Sequence, residues 1–144
     1  MYRMAWAAAP PAVDPAADAL ALGPAHAAQA MALAALTKTG PFGPRTVELG
    51  EYFGYVEDGQ LVAMAGERGA APGLREISGV CTRPGWQGRG LARGLMLKLI
   101  RRQLARGETP FLHVMRANAR AHRLYLDMGF RDERETVVRV VTLA

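Results

Sequence analysis

At 144 residues, 50% hydrophobic and 22% charged, the chain has the size and mixture of one globular domain with a substantial core, not of a disordered or fibrous protein. Eighteen Lys and Arg against 13 Asp and Glu give a formal charge of +5, which suits an anionic ligand without identifying one. The single cysteine, Cys81, excludes an intrachain disulfide and favours a cytoplasmic setting, and no apolar run reaches membrane-spanning length because Asp14, Asp18, His26 and Gln29 interrupt the alanine-rich start.

Residues 1–18 are expected to form a poorly ordered or loosely packed lead-in. The opening MYRMAWAAAPPA has too short an apolar stretch, ended by proline, for a secretory signal, and Pro10 to Asp18 is poor in core-forming residues. The domain is expected to occupy residues 19–144. Ala19 to Leu22 suits a short strand, and Pro24 after Gly23 suits the first turn of a helix running to about Lys38, with Gly40 as its stop. Two β-like runs meet at Asp58-Gly59, a two-residue hairpin signal. Leu74 to Thr82 reads as the third strand of this antiparallel meander, followed by a loop over Arg83 to Gln87.

A long helix is expected from Gly88 to about Arg106. Leu91, Leu95 and Leu99, flanked by Ala92, Met96 and Ile100, make an apolar stripe, and Arg93, Lys98, Arg101 and Arg102 a solvated basic face. Leu97 falls among these basic residues for no reason legible in the sequence. Phe111 to Met115 reads as a buried strand which, following a strand and a helix, runs parallel to Leu74–Thr82. Asn118 suits the cap of a last helix whose face is Ala121, Leu124, Tyr125 and Met128 and which Gly129 ends. Arg134 to Leu143 reads as one or two closing strands. The sum is an α/β (α+β) domain around a mixed, mostly antiparallel sheet.

Gly88 and Gly90 stand where a loop becomes a helix N-terminus. Free N–H groups and the helix dipole favour an anion there, and glycine lets phosphate oxygens come close. Taken alone, the pair is equally what a tight strand-to-helix turn needs. A P-loop would require Lys and then Ser or Thr after Gly90, where Leu91 and Ala92 stand. A dinucleotide fingerprint would require glycine in place of Arg93 and an acid in place of Arg116.

A third pattern fits. QGRGLA, Gln87 to Ala92, resembles the Q/R-x-x-G-x-G/A pyrophosphate loop of the GNAT superfamily of acyl-CoA-dependent N-acetyltransferases. NARAHRLYLDMGF, Asn118 to Phe130, resembles that superfamily's second motif, with Asn118, Ala121, Tyr125 and Gly129-Phe130 in place. The order of elements agrees, and the stretch from Glu48 through the meander looks like a bacterial branch related to glycine-type acyltransferases. The resemblance implies the GNAT fold, with helices on both faces of the sheet and a parallel pair, Leu74–Thr82 and Phe111–Met115, that splays apart to admit acetyl-CoA. Strand backbone left unpaired by the splay would bond pantetheine at Val80, Cys81 and Thr82. Gln87, Gly88, Arg89, Gly90, Leu91 and Ala92 would hold the pyrophosphate, and Asn118 would add a further cofactor contact.

The implied reaction is direct transfer of acetyl from acetyl-CoA to an amine of a small molecule or protein, the alternative being a non-catalytic acyl-CoA-binding regulatory module. Tyr125 matches the acid that protonates the departing thiolate, its other reading being core packing. Glu76 stands where several members carry a glutamate base, its other reading being an exposed strand acid paired with an arginine; Glu48 is a weaker rival. A Cys81 nucleophile served by His113 is disfavoured, because strand alternation turns Cys81 away from the face of Val80 and Thr82. His26 and His122 have no Cys, Asp or Glu at ligand spacing, so no metal is expected. No nucleic acid or membrane partner is expected, since neither an aromatic-studded sheet nor a recognition-helix pattern is evident. The chain is expected to act as a monomer or homodimer in the cytoplasm. Its acceptor would be shaped by the N-terminal helix, the loop of Thr39 to Arg45 and the C-terminal strands, which carry no readable code.

Overall fold

The computed structural model describes residues 1–135. In chain order the elements are β1 (Tyr2–Trp6), β2 (Leu20–Ala21), α1 (Ala27–Thr37), β3 (Tyr52–Glu57), β4 (Gln60–Ala71), β5 (Leu74–Thr82), α2 (Leu91–Ala105), β6 (Thr109–Val114), α3 (Ala119–Met128) and β7 (Phe130–Glu135). The strands form one mixed sheet in the order β2-β3-β4-β5-β6-β1-β7, and only β5 and β6 run parallel.

Local chemistry accounts for most boundaries. Asp58 and Gly59 both take positive φ, 52° and 74°, so the β3–β4 turn has the twist that matches two paired strands. Asn118 caps α3, its Oδ1 accepting from the Ala121 N–H at 3.1 Å. The expected stop of α1 at Gly40 is corrected: Lys38 itself turns left-handed, with φ 55°, and closes the helix two residues earlier. The closing strand begins at Phe130, and the expected strand residues 136–143 lie outside the described residues.

The lead-in is also corrected. Tyr2–Trp6 is not a loose tail but an interior strand, paired with β6 on one side and β7 on the other. Its reward is burial: Met4 is fully buried, and Trp6 meets Phe130 edge to face with ring centroids 5.3 Å apart. Residues 10–18 then lie along α2. Asp14 pairs with Lys98 at 2.9 Å, the Pro11 carbonyl accepts from Arg101, and Ala16 is fully buried opposite Gly94. Lys98 and Arg101 of the basic face of α2 thus clamp this segment, and Leu97 packs against the core.

Two apolar layers sandwich the sheet. On one face Leu95, Met96, Leu99 and Ile100 of α2 pack on Ile77, Leu112, Val114 and Phe130, with Tyr125 of α3 beside them. On the other, Ala30, Leu33 and Ala34 of α1 pack on Tyr52, Leu61, Met64 and Cys81. The C-terminal end of α2 is tied down by charge. Glu67, 1% exposed, accepts hydrogen bonds from the Glu51 N–H, Gln103 Nε2 and Arg106, which together satisfy its buried carboxylate. Glu51 in turn accepts from Arg102 and Arg106.

The sheet opens in its middle. β5 and β6 pair only at Leu74↔Thr109, Arg75↔Pro110 and Glu76↔Phe111. Beyond that point β5 stays with β4, while β6 turns to β1 through Leu112↔Met4, His113↔Arg3 and Val114↔Tyr2. A bulge drives the bend. Between Met64↔Cys81 and Gly66↔Ser78, β5 carries one residue more than β4, and Gly79 takes it up at φ +66°. A Cβ on Gly79 would sit 3.1 Å from Cε2 of buried Tyr52.

Gly79→Ala is therefore expected to lower stability by about 1–3 kcal/mol, from left-handed strain plus the Tyr52 contact, as read by urea denaturation. A second expectation concerns acid. Hydrogen bonds from Arg102, outweighing partial burial, hold the Glu51 carboxyl below the ordinary glutamate value of 4.5. Its contribution is present above the unfolded value and lost as pH falls through the folded one. The thermal midpoint should drop below about pH 4.5, and Glu51→Gln should flatten that drop at a neutral-pH cost of roughly 0.5–1 kcal/mol, as expected for a partly exposed pair.

Candidate functional site

Where β5 and β6 part, a cavity of about 730 Å³ lies between them. Its walls come from both sides of the sheet. Thr37, Lys38, Thr39, Gly40 and Pro41 follow α1 on one side, and Asn118, Ala121 and Tyr125 belong to α3 on the other. Across the gap the facing backbone edges of residues 77–82 and 112–114 have no strand partner. Such groups need hydrogen bonds from elsewhere, and a ligand bearing amides can provide them.

Beside this opening, the loop after β5 is fixed to the sheet. The Arg83 N–H donates to the Val62 carbonyl at 2.7 Å, Arg83 Nε donates to that of Leu61 at 3.2 Å, and Trp86 N–H closes a turn on Arg83. Arg89 lies over the Trp86 ring, 4.5 Å from its centroid. Gly88 and Gly90 take φ of 79° and 76°, and a Cβ at either would meet open space. They serve the turn and leave its outer surface bare. Gly90 caps α2 without any side-chain bond, and no acid stands in the first turn. The first N–H groups of α2 therefore face outward with the positive end of the helix dipole unneutralised.

Two chemical groups line the cavity from opposite faces. Ile77, Leu112 and Val114 point into the α2 layer, so alternation directs Glu76 and His113 to the α1 side. Glu76 is 7% exposed, and its Oε2 is 3.0 Å from both Arg68 and His113 Nδ1. On the α3 side, Tyr125 packs edge to face against Phe130, with centroids 6.1 Å apart. Burial raises its phenol above the ordinary 10, which keeps it protonated at neutral pH. Its hydroxyl has no hydrogen-bond partner among the described residues.

The cavity thus gathers Glu76, Val80, Asn118 and Tyr125. Thr82 and Gln87 to Ala92 are not part of its wall; they lie at the end of β5 and on the neighbouring loop and helix start. Cys81 points into the α1 layer, where burial raises its thiol, so only its backbone can meet a ligand in the gap. The exposed-acid reading of Glu76 is corrected: it does pair with an arginine, but as a buried group. Sequence reading missed Arg68, and it met His113 only as a partner for Cys81. The Pro72-Gly73 turn pairs Ala71 with Leu74 and Ala70 with Arg75, but a register shift between Glu67 and Ala70 then brings Arg68 within reach of Glu76, and no local signal in the sequence announces that shift.

The sequence matches the FR47-like protein family over residues 52–140, more than half of the chain. Among solved structures it is similar to a protein assigned as an acetyltransferase of the GNAT family from Novosphingobium aromaticivorans, with 43% identity and a TM-score of 0.85 over 92% of this chain and 59% of that one. It shares its fold with the ribosomal-protein-S18-alanine N-acetyltransferase of Escherichia coli, at 24% identity and a TM-score of 0.70, covering 81% of this chain and 78% of the other. An aminoglycoside N-acetyltransferase in complex with CoA has the same fold at 17% identity, with a TM-score of 0.62 over 82% of this chain and 90% of its own. No curated protein matches the chain in sequence. The chain belongs to the FR47-like family, within the GNAT superfamily. It spans 59% and 52% of the first two structures it matches. No described helix is long and apolar enough to cross a membrane.

Proposed function

We propose that the chain is an N-acetyltransferase that moves acetyl from acetyl-CoA to an amine by direct attack. What carries the reading is the parted strand pair, which opens a cavity beside an uncapped helix N-terminus. Pantetheine amides would bond the unpaired edge of β5 around Val80 to Thr82, and the pyrophosphate would rest on Gln87 to Ala92. Asn118, on the cavity wall, would add a contact to the cofactor. Acetyl-CoA serves as cosubstrate, and no metal takes part in the proposed step.

The two faces divide the chemistry. The amine approaches the thioester carbon from the α1 side, where Glu76 and its partner His113 deal with its proton. The C–S bond breaks toward α3, and Tyr125 gives its proton to the departing thiolate. An ordinary phenol near 10 is about 1.5 units above a thiol near 8.5, so this transfer is uphill by about 2 kcal/mol, and burial adds to that. A peptide N–H on β5 polarises the carbonyl as the tetrahedral centre forms.

Isothermal calorimetry is expected to show acetyl-CoA binding to the wild-type protein. In Gly90→Val a β-branched side chain in a left-handed position that faces the ligand should weaken binding at least tenfold, and undiminished affinity in a folded variant would remove the loop from the site. Tyr125→Phe should retain acetyl-CoA affinity while lowering kcat by roughly two to four orders of magnitude with any amine from a screen that turns over. A wild-type single-turnover rate in that variant would return the tyrosine to core packing. Binding without turnover across a broad amine panel would favour the non-catalytic module.

A further inference from the structure

We propose that the group which takes the amine's proton is His113, through Nε2, and that Glu76 is the positioning residue that holds it. The inference rests on the acetyltransferase reading and assigns the proton within the pair that reading leaves together. The first argument is exposure. The His113 side chain is 26% exposed against 9% for Glu76, whose Oε2 already accepts from Arg68 and lies 3.0 Å from His113 Nδ1. The imidazole is thus the member of the pair that an incoming amine meets.

The second argument is the tautomer. An ionised carboxylate only accepts hydrogen bonds, so the His113 atom facing it must be N–H, which leaves the lone pair on Nε2. That nitrogen has no partner among the described residues. His113 sits two residues past the last β5–β6 pair, on the cavity wall, with its side chain 26% exposed. The ring is held edge to face by Phe111, centroids 5.8 Å apart. Carboxylate, strand and aromatic neighbour together fix the direction in which Nε2 points.

The charged groups at the pair come from several elements, and Met1 also lines the cavity. Glu76 comes from β5 and Arg68 from β4. Arg3 of β1 is the cross-strand neighbour of His113, but its guanidinium lies over Phe111 and pairs with Glu133 of β7 at 2.8 Å. Lys38 stands on the α1-side wall of the cavity. Imidazole is in general a stronger base than a carboxylate, and it can hold a proton on one nitrogen while accepting one on the other. As the N–C bond forms, the amine proton passes to Nε2 and the imidazolium charge meets Glu76; the C–S electron pair leaves with sulfur, which takes the Tyr125 proton. Solvent then removes the proton from His113 and restores the one on Tyr125.

The test has a substrate-free arm and a kinetic arm. Nitrogen-15 NMR of the histidine rings should find His113 with its proton on Nδ1 and a bare Nε2, an arrangement that Glu76→Gln relaxes. A proton on Nε2 in the wild type would overturn the proposal whether or not any acceptor is known. With acetyl-CoA and the best amine from a screen, kcat/KM against pH should show an ionisation that vanishes in His113→Gln, with a loss of about 10²–10⁴-fold at neutral pH. Glu76→Gln should keep that ionisation and move it to lower pH, because the imidazolium has lost its carboxylate. An ionisation that survives His113→Gln but vanishes in Glu76→Gln would make Glu76 the base. Calorimetry with acetyl-CoA on the same variants separates the two failures: wild-type protein that does not bind it defeats the acetyltransferase reading, whereas binding variants with the wrong pH pattern defeat only the assignment to His113.

Discussion

A sheet cannot part between two interior strands unless each is held from its outer side and the exposed edges find new partners. A buried peptide group left without a hydrogen bond costs on the order of 1–3 kcal/mol, so a gap several residues long would be ruinous if it were dry and empty. Here β4 braces β5 and β1 braces β6, and Phe111 is the pivot, pairing with Glu76 on one side and Ala5 on the other. The Gly79 bulge supplies the bend. Binding and stability are then coupled, since whatever fills the gap supplies the hydrogen bonds that the sheet gave up.

The division of chemistry follows from the same opening. In an intact sheet, alternation would isolate Glu76 and His113 from anything on the α3 face. Once the strands separate, residues on opposite faces border one space, and in the proposed reaction a thioester there would have one group on the side of the arriving nitrogen and another on the side of the leaving sulfur. The rigidity this needs comes from α2, whose C-terminal end is bound through Arg102, Gln103 and Arg106 to Glu51 and Glu67. With that end fixed, its bare N-terminus stays beside the end of β5.

What could be read from the sequence was local. Asp58-Gly59 announced the hairpin, the bounds of β5 were legible as Leu74 to Thr82, Asn118 announced the cap, and the leucine stripe of α2 faced the core as its spacing required. The parallel pairing of β5 and β6 followed from strand-helix-strand order. The illegible parts depended on distant chain. Tyr2–Trp6 is a five-residue run followed by three alanines and Pro10-Pro11, and only its two partner strands make it an interior strand. Leu97 packs against the core although it falls among basic residues, which the helical spacing alone did not announce. The pairing of Arg68, Glu76 and His113 needs three strands in register across a bulge, which no single window of sequence contains.

That pattern also bears on which half of the site a family likeness can describe. Glu76, Val80, the loop of Gln87 to Ala92, Asn118 and Tyr125 all fall within residues 52–140, the span that matches the FR47-like family. The wall facing them on the α1 side is made by Met1 and by Thr37 to Pro41, which lie outside it. β1, which holds the open half of β6 in place, lies outside as well. The matched span therefore carries the groups proposed to hold and cleave the thioester, and unmatched chain shapes the space an acceptor would enter. In the proposed reaction, donor chemistry can stay constant while that wall changes, so the acceptor has to be sought from the lining of residues 37–41 and not from the motifs that reveal the family.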